Sequence, residues 1–141
     1  MRKILFAAAL AAIVFPMLTI AQTQVKRVPA KPTSAASGEE MYTNYCASCH
    51  GLSGRGDGPA AQALKTLPAN LATLSARNGG QFPELKVMQS IKAGPAIPAH
   101  GSAEMPIWGP IFLAMRTGPN DAEVQLRAHN LMEYIRTLQA K

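Results

Sequence analysis

The chain has 141 residues with a formal net charge of +6 at pH 7, and it contains 11 glycines, 11 prolines and only 6% aromatic residues. This length suits one small domain better than two, and so few large side chains allow only a modest core. The basic residues form no run and are not interleaved with aromatic side chains, which argues against a nucleic-acid-binding protein.

The first 21 residues have the pattern of a secretory signal peptide. Arg2 and Lys3 precede an apolar run over residues 4–20, and Thr19 and Ala21 are small residues near its end. This order predicts cleavage after Ala21 and a periplasmic location. The apolar run is also about as long as the shortest membrane-spanning helix, so a retained membrane anchor is the alternative. We expect membrane association only in that case.

Residues 22–37 are predicted to form a flexible linker. The stretch VKRVPAKPTSAAS within it has two prolines, three basic residues and no apolar periodicity. Such a composition favours an extended or flexible chain over a packed element. The folded domain is therefore predicted to cover residues 38–141.

Three segments of this domain have the pattern of α-helices. The first begins at Ser37-Gly38-Glu39-Glu40, a polar start with acidic residues in the first turn, and ends near residue 46. The second lies around FPELKVMQSIKAG, residues 82–94, and is stopped by Gly94-Pro95. The third runs from Asn120-Asp121 to about Gln139. Apolar residues recur at helical spacing in the last two: Leu85, Val87, Met88, Ile91, Val124, Leu131, Ile135 and Leu138. Since no segment alternates as a strand does, the fold class is predicted to be all-α.

Two long stretches rich in glycine and proline separate these helices. They are GLSGRGDGPAA, residues 51–61, and AGPAIPAHGSAEMPIWGP, residues 93–110. Loops of this length are unusual inside a compact domain unless they are functional or wrap a bound group. The pattern predicts three or more helices and long loops wrapped around a prosthetic group.

The two cysteines of the chain lie in the sequence CASCH, where Cys46 and Cys49 are followed by His50. This is the attachment pattern for c-type haem, in which two thiols bind the two vinyl groups of one haem and the histidine is the proximal iron ligand. A redox dithiol would need a βαβ pattern, which is missing from the sequence. A zinc site would need two more ligands, and His100 and His129 are too far apart to supply them. We therefore predict one covalently attached haem c.

Several residues around this motif resemble those of the class I monohaem cytochromes c, over the span Gly38 to Leu138. Gly38 and Tyr42 stand before Cys46 at the spacing of the glycine and aromatic of that family's N-terminal helix, and Leu131 and Tyr134 match its C-terminal helix. The segment HGSAEMPIWGPIF resembles the family's distal methionine loop. The resemblance implies a small cytochrome c fold in which the two helices cross at the glycine. It also implies a proline carbonyl that orients the haem histidine, which would be that of Pro59.

The sixth iron ligand is predicted to be Met105, because it lies in an irregular loop and is followed by Pro106. Met115 also follows this loop and is the rival candidate. Trp108 is expected to pack at the haem edge, with donation to a haem carboxylate as a further role. His100 is expected to be a surface or loop-stabilising residue and not an iron ligand, and His129 is expected to be exposed to solvent.

These predictions together describe an exported cytochrome that carries single electrons between redox partner proteins and is not an enzyme. A His/Met-ligated iron has no open coordination position, so reversible electron exchange is the activity it favours. One alternative is a haem subunit of a larger dehydrogenase or oxidase complex, and another is a peroxide-reducing or gas-sensing protein. Transient partner docking is expected near the haem edge, steered by four basic residues: Lys65, Arg77, Lys86 and Lys92.

Overall fold

The computed structural model describes residues 29–93, 105–118 and 121–140. Over these ranges the chain is helical and contains no strand, so the all-α prediction is confirmed. Its α-helices are α1 (Gly38–Tyr45), α2 (Ala47–His50), α3 (Glu84–Ala93), α4 (Trp108–Met115) and α5 (Ala122–Thr137). Short 3-10 turns cover Ala61–Ala63, Leu71–Thr73 and Ala76–Asn78. The predicted signal peptide, its cleavage site and His100 lie outside the described residues.

No helix within the described ranges has the length and apolar character needed to cross a membrane.

Helix α1 begins where its polar start predicts. The Ser37 hydroxyl accepts a hydrogen bond from the backbone N–H of Glu40 at 3.1 Å, which satisfies one of the first free N–H groups of the helix. The helix ends at Cys46, whose N–H donates to the Tyr42 carbonyl at 2.8 Å. A new short helix, α2, then carries the rest of the cysteine motif.

Helices α1 and α5 cross at Gly38. A β-carbon added there would collide with the backbone carbonyl of Asn130 and would lie 2.9 Å from Cβ of Tyr134. The rings of Tyr42 and Tyr134 pack beside this crossing with centroids 5.2 Å apart, and Leu131 is buried nearby in the core. The crossing expected from the family resemblance is therefore present, and glycine is the residue that permits it.

Part of the segment predicted as a flexible linker over residues 22–37 packs against the folded domain. Thr33 is buried, and its carbonyl accepts a hydrogen bond from Arg127 Nη1 at 3.0 Å. The Ala35 carbonyl accepts another from Asn130 Nδ2 at 2.8 Å. Both donors lie on α5, nearly a hundred residues away in sequence. The local composition of residues 33–35 therefore could not predict that they pack against this helix.

Helix α4 begins within the stretch that the sequence predicted as a long loop, residues 93–110. Pro110 falls in its first turn, where backbone N–H groups have no intrahelical partner and proline is tolerated. Gly109 allows the helix to approach α3, since a β-carbon there would collide with the Lys92 carbonyl. Trp108 and Phe112 are the buried residues of α4. The burial of these two side chains in the core stabilises the helix.

Candidate cofactor site

A cavity lies between the cysteine motif, the chain over residues 64–77, helix α3, the start of α4 and one face of α5. It encloses about 1200 Å³, including the part that is open to solvent at its mouth. Most of its lining is apolar: Leu64, Leu67, Pro68, Ala69, Leu71, Leu74, Pro83, Val87, Ile91, Pro106, Leu131 and Ile135. A concave apolar site with a few polar groups is typical of cofactor-binding sites.

The cysteine motif forms one wall of this cavity. Helical hydrogen bonds join the N–H groups of Cys49 and His50 to the Cys46 carbonyl, at 3.1 Å and 2.8 Å. Residues three and four apart lie on the same side of a helical turn, and all three side chains line the cavity. The local turn therefore presents two thiols and one imidazole to the same space.

The glycine-rich loop after the motif folds back onto α2. The N–H groups of Gly56, Gly58 and Ala60 donate to the carbonyls of His50, Cys49 and Ser48, at 2.8, 3.1 and 2.8 Å. These bonds satisfy carbonyls at the end of α2 that have no helical partner. Gly56 has φ of 82°, a left-handed conformation that favours glycine. The loop thus holds the cysteine motif in place.

The buried Cys46 thiol does not have the properties of a reactive thiol. Burial raises the pKa of the Cys46 thiol to about 12, and the neighbouring Cys49 adds to the shift. Catalytic and metal-binding cysteines instead have lowered pKa values, because the thiolate is the reactive form. Among the described residues, no group of three or more His, Cys, Asp or Glu side chains is arranged to hold a metal ion. A zinc site built from this part of the chain is therefore not supported.

The His50 ring is oriented by a backbone carbonyl other than the expected one. Its Nδ1 lies 3.0 Å from the carbonyl oxygen of Ala69. The assignment to Pro59 is wrong, because the glycine-rich loop folds back on α2 and leaves Pro59 exposed beside the carbonyls of residues 48 and 49. Two bonds to the Gly54 carbonyl, from the N–H groups of Leu71 and Ala72, hold the 69–72 segment near the ring.

The two candidate methionines occupy different surroundings. Met105 is half-buried and lines the cavity together with the cysteine motif. Met115 lies at the end of α4, where the Tyr45 hydroxyl is 3.7 Å from its sulfur, and it is not part of the cavity lining described here.

An aromatic wall closes the cavity beside Met105. The Trp108 indole is buried and stacks on the Tyr45 ring, with centroids 4.8 Å apart and planes inclined by 24°. Phe112 packs behind both rings, 5.8 Å from Trp108. Trp108 thus packs against two aromatic rings at the cavity, and its packing at a haem edge stays a prediction. Sequence reasoning missed Tyr45, although an aromatic residue directly before Cys46 was a usable signal.

Two of the four basic residues expected near the haem edge line the cavity. They are Arg77, whose Nη2 donates to the Asn70 carbonyl at 2.6 Å, and Lys86 on α3. Lys92 instead donates to the side chain of Gln125 on α5 at 2.9 Å. Cations at the border of an apolar cavity fit a cofactor that carries carboxylates.

The residues present fit a covalently bound haem. The cavity combines two thiols, an imidazole whose Nδ1 faces a carbonyl, a thioether and an apolar surround. An imidazole that donates from Nδ1 has its lone pair on Nε2, the nitrogen that binds a metal. The protein need not supply further iron ligands, since a porphyrin provides the remaining four nitrogens.

Comparison with curated proteins finds no match to this sequence. A family model described as cytochrome c matches residues 35–139, a range that contains all the helices named above and the whole cysteine motif. The match covers well over half of the chain and agrees with the architecture and the site. The chain therefore belongs to the cytochrome c family, whose members bind haem c and carry electrons.

Proposed function

We propose that the protein is an exported, single-haem cytochrome c that carries single electrons between redox partners, with His50 and Met105 as the axial ligands. The observation that carries this proposal is the grouping of Cys46, Cys49, His50 and Met105 along one apolar cavity. Covalent attachment through the two thiols would keep the cofactor in the protein throughout oxidation and reduction.

The chain's own residues would tune the site in three ways. The Ala69 carbonyl fixes the orientation of the His50 ring and would make the imidazole nitrogen a stronger electron-pair donor to the iron. The Met105 sulfur favours the reduced iron and raises the potential relative to a second imidazole. The wall of Tyr45 and Trp108 limits the access of water. A haem held in this way supplies reversible one-electron transfer.

Arg77 and Lys86 would hold the carboxylates of the cofactor at the cavity border. Both are basic residues, and both line the cavity while remaining exposed to solvent. Pairing them with carboxylates would neutralise charge close to the iron, which is one of the determinants of a haem potential.

The axial ligation is tested by a matched pair of variants, Met105→Ala and Met115→Ala. The oxidised wild-type protein should show the weak red-region absorption band of sulfur bound to ferric low-spin haem. Met105→Ala should abolish this band, lower the reduction potential and let cyanide or carbon monoxide bind, while Met115→Ala should retain it. Loss of the band in Met115→Ala alone would contradict the assignment. A wild-type protein without the band would require a different axial pair.

Export and partner docking have separate tests. The intact mass of the haem-loaded protein from the periplasm should correspond to a chain that begins at Gln22, and a chain that begins at Met1 would refute cleavage.

We further propose transient docking of acidic redox partners at the cavity mouth. The rate of electron transfer to such a partner should fall as ionic strength rises, because salt screens the attraction. A rate that is independent of salt would refute steering by these charges.

A further inference from the structure

An ion pair on α5, formed by the buried Arg127 and the partly exposed Glu123, connects to the cavity without lining it. Arg127 is 5% exposed, and its Nε and Nη2 donate to Glu123 Oε1 at 3.0 Å and 2.8 Å. Arginine is rarely buried to this extent unless it is paired. The pair would not be needed for stability alone, since apolar side chains of similar volume often replace buried ion pairs without loss. Its other contacts indicate what it does.

One set of contacts leads from Arg127 to the aromatic wall. Arg127 Nη1 donates to the Thr33 carbonyl at 3.0 Å and to its hydroxyl at 3.3 Å. The Thr33 hydroxyl lies 2.8 Å from the Tyr45 hydroxyl, which donates to the Lys31 carbonyl at 2.6 Å. Because Tyr45 uses its proton for Lys31, Thr33 is the donor to Tyr45 and the acceptor from Arg127. Each group in this series therefore donates to the next, from Arg127 through Thr33 and Tyr45 to the Lys31 carbonyl. The Tyr45 ring in turn stacks on Trp108.

The other set of contacts leads from Glu123 to the end of α4. Glu123 Oε2 accepts from the backbone N–H of Thr117 at 2.8 Å and from its hydroxyl at 3.1 Å. Thr117 follows α4 by two residues, and α4 begins three residues after Met105. Glu123 thus holds the C-terminal end of α4. The N-terminal end of the same helix follows Met105 and lines the cavity.

We propose that Arg127 and Glu123 form a positioning pair that holds Tyr45 and α4 in place, and so keeps the Met105 sulfur bound to the iron in the folded protein. This inference rests on the proposed axial ligation by Met105. It extends that proposal to residues outside the cavity lining. Neither residue is a ligand or a catalytic group.

The test uses the full-length, haem-loaded oxidised protein and four variants. Arg127→Met removes the pair with a side chain of similar length, and Arg127→Lys keeps the charge without the planar fork of donors. Thr33→Val removes only the hydroxyl that links Arg127 to Tyr45. Arg136→Met is the matched control, because Arg136 also lies on α5 and forms ion pairs, but with Glu84 and Glu133.

The decisive readout is ligand exchange in the folded protein. Cyanide can bind ferric iron only after the methionine leaves, so its binding rate at neutral pH reports how firmly the sulfur is held. We expect Arg127→Met to bind cyanide about tenfold faster than wild type, which corresponds to about 1.4 kcal/mol. Arg127→Lys and Thr33→Val should show smaller increases in the cyanide-binding rate. The rate of Arg136→Met should stay within about twofold of wild type, because Arg136 takes part in neither set of contacts.

A purely structural role gives a different result. If Arg127→Met lowers the free energy of unfolding but leaves the cyanide rate unchanged, the positioning role is refuted. If Arg127→Met does not load haem, unchanged cyanide rates in both Arg127→Lys and Thr33→Val refute it instead. Failure of the proposed axial ligation is recognised separately, because the wild-type protein itself would then lack the sulfur band.

Discussion

Replacing Gly38 with alanine should destabilise the protein by forcing α1 and α5 apart. The new β-carbon would lie 2.8 Å from the Asn130 carbonyl carbon and 2.9 Å from Cβ of Tyr134, and closer still to the Asn130 oxygen. Favourable contacts between carbon atoms occur at about 3.5–4.0 Å, so the helices must separate by roughly 0.6 Å or more. Backbone atoms cannot rotate away as a flexible side chain can.

The expected cost is a balance of two effects. Overpacking a well-packed contact costs about 1–3 kcal/mol. Alanine is favoured over glycine inside a helix by up to about 1 kcal/mol, but Gly38 is the first helical residue, where this gain is smaller. We therefore expect Gly38→Ala to lower the free energy of unfolding by about 2 kcal/mol, a clear fraction of the 5–15 kcal/mol typical of a domain.

Urea unfolding of the haem-loaded protein, followed by far-ultraviolet circular dichroism, measures this change. Gly118→Ala is the matched control, since a β-carbon at Gly118 would have nothing within 4 Å. Its free energy of unfolding should change by less than about 0.5 kcal/mol. If the two variants unfold at the same urea concentration, the close helix crossing does not limit stability and the reasoning is wrong.

Three further predictions concern the glycine-rich loop over residues 51–61 and the acidic residue of the ion pair, Glu123. Tyr42→Phe removes a buried hydroxyl that donates to the Gly51 carbonyl at 2.7 Å, and we expect urea unfolding to show a loss of about 1–2 kcal/mol. Gly56→Ala places a side chain at φ of 82°, where alanine is strained, so its thermal midpoint should fall below that of wild type. The N–H of Thr117 and the neighbouring guanidinium lower the pKa of Glu123 below its ordinary value of 4.5. The stability from this shift is therefore present above pH 4.5 and is lost as the pH falls through the folded pKa. Glu123→Gln should accordingly flatten the acid limb of the stability curve, and an unchanged limb would contradict the shift.

The sequence by itself determined the features that depend on neighbouring residues. The CASCH spacing places Cys46, Cys49 and His50 on one helical turn, and a single turn is enough to present them to the same cavity. The apolar stripes of α3 and α5 and the polar start of α1 also predicted those helices, because capping and amphipathic periodicity act within a few residues. Met105 was singled out from its loop setting, and the structure places it along that same cavity.

Only the tertiary structure decided the contacts between distant segments. The carbonyl that orients His50 belongs to Ala69 and not Pro59, because any backbone carbonyl can accept a hydrogen bond and the path of the loop selects one. Thr33 is buried because Arg127 reaches it across 94 positions of sequence. Helix α4 begins inside a stretch that is rich in glycine and proline, and the packing of its buried face against the core stabilises it. In each case the structure is stabilised by packing or by the hydrogen bonds of a buried polar group. The partner lies far away in sequence, so a local sequence pattern cannot predict it.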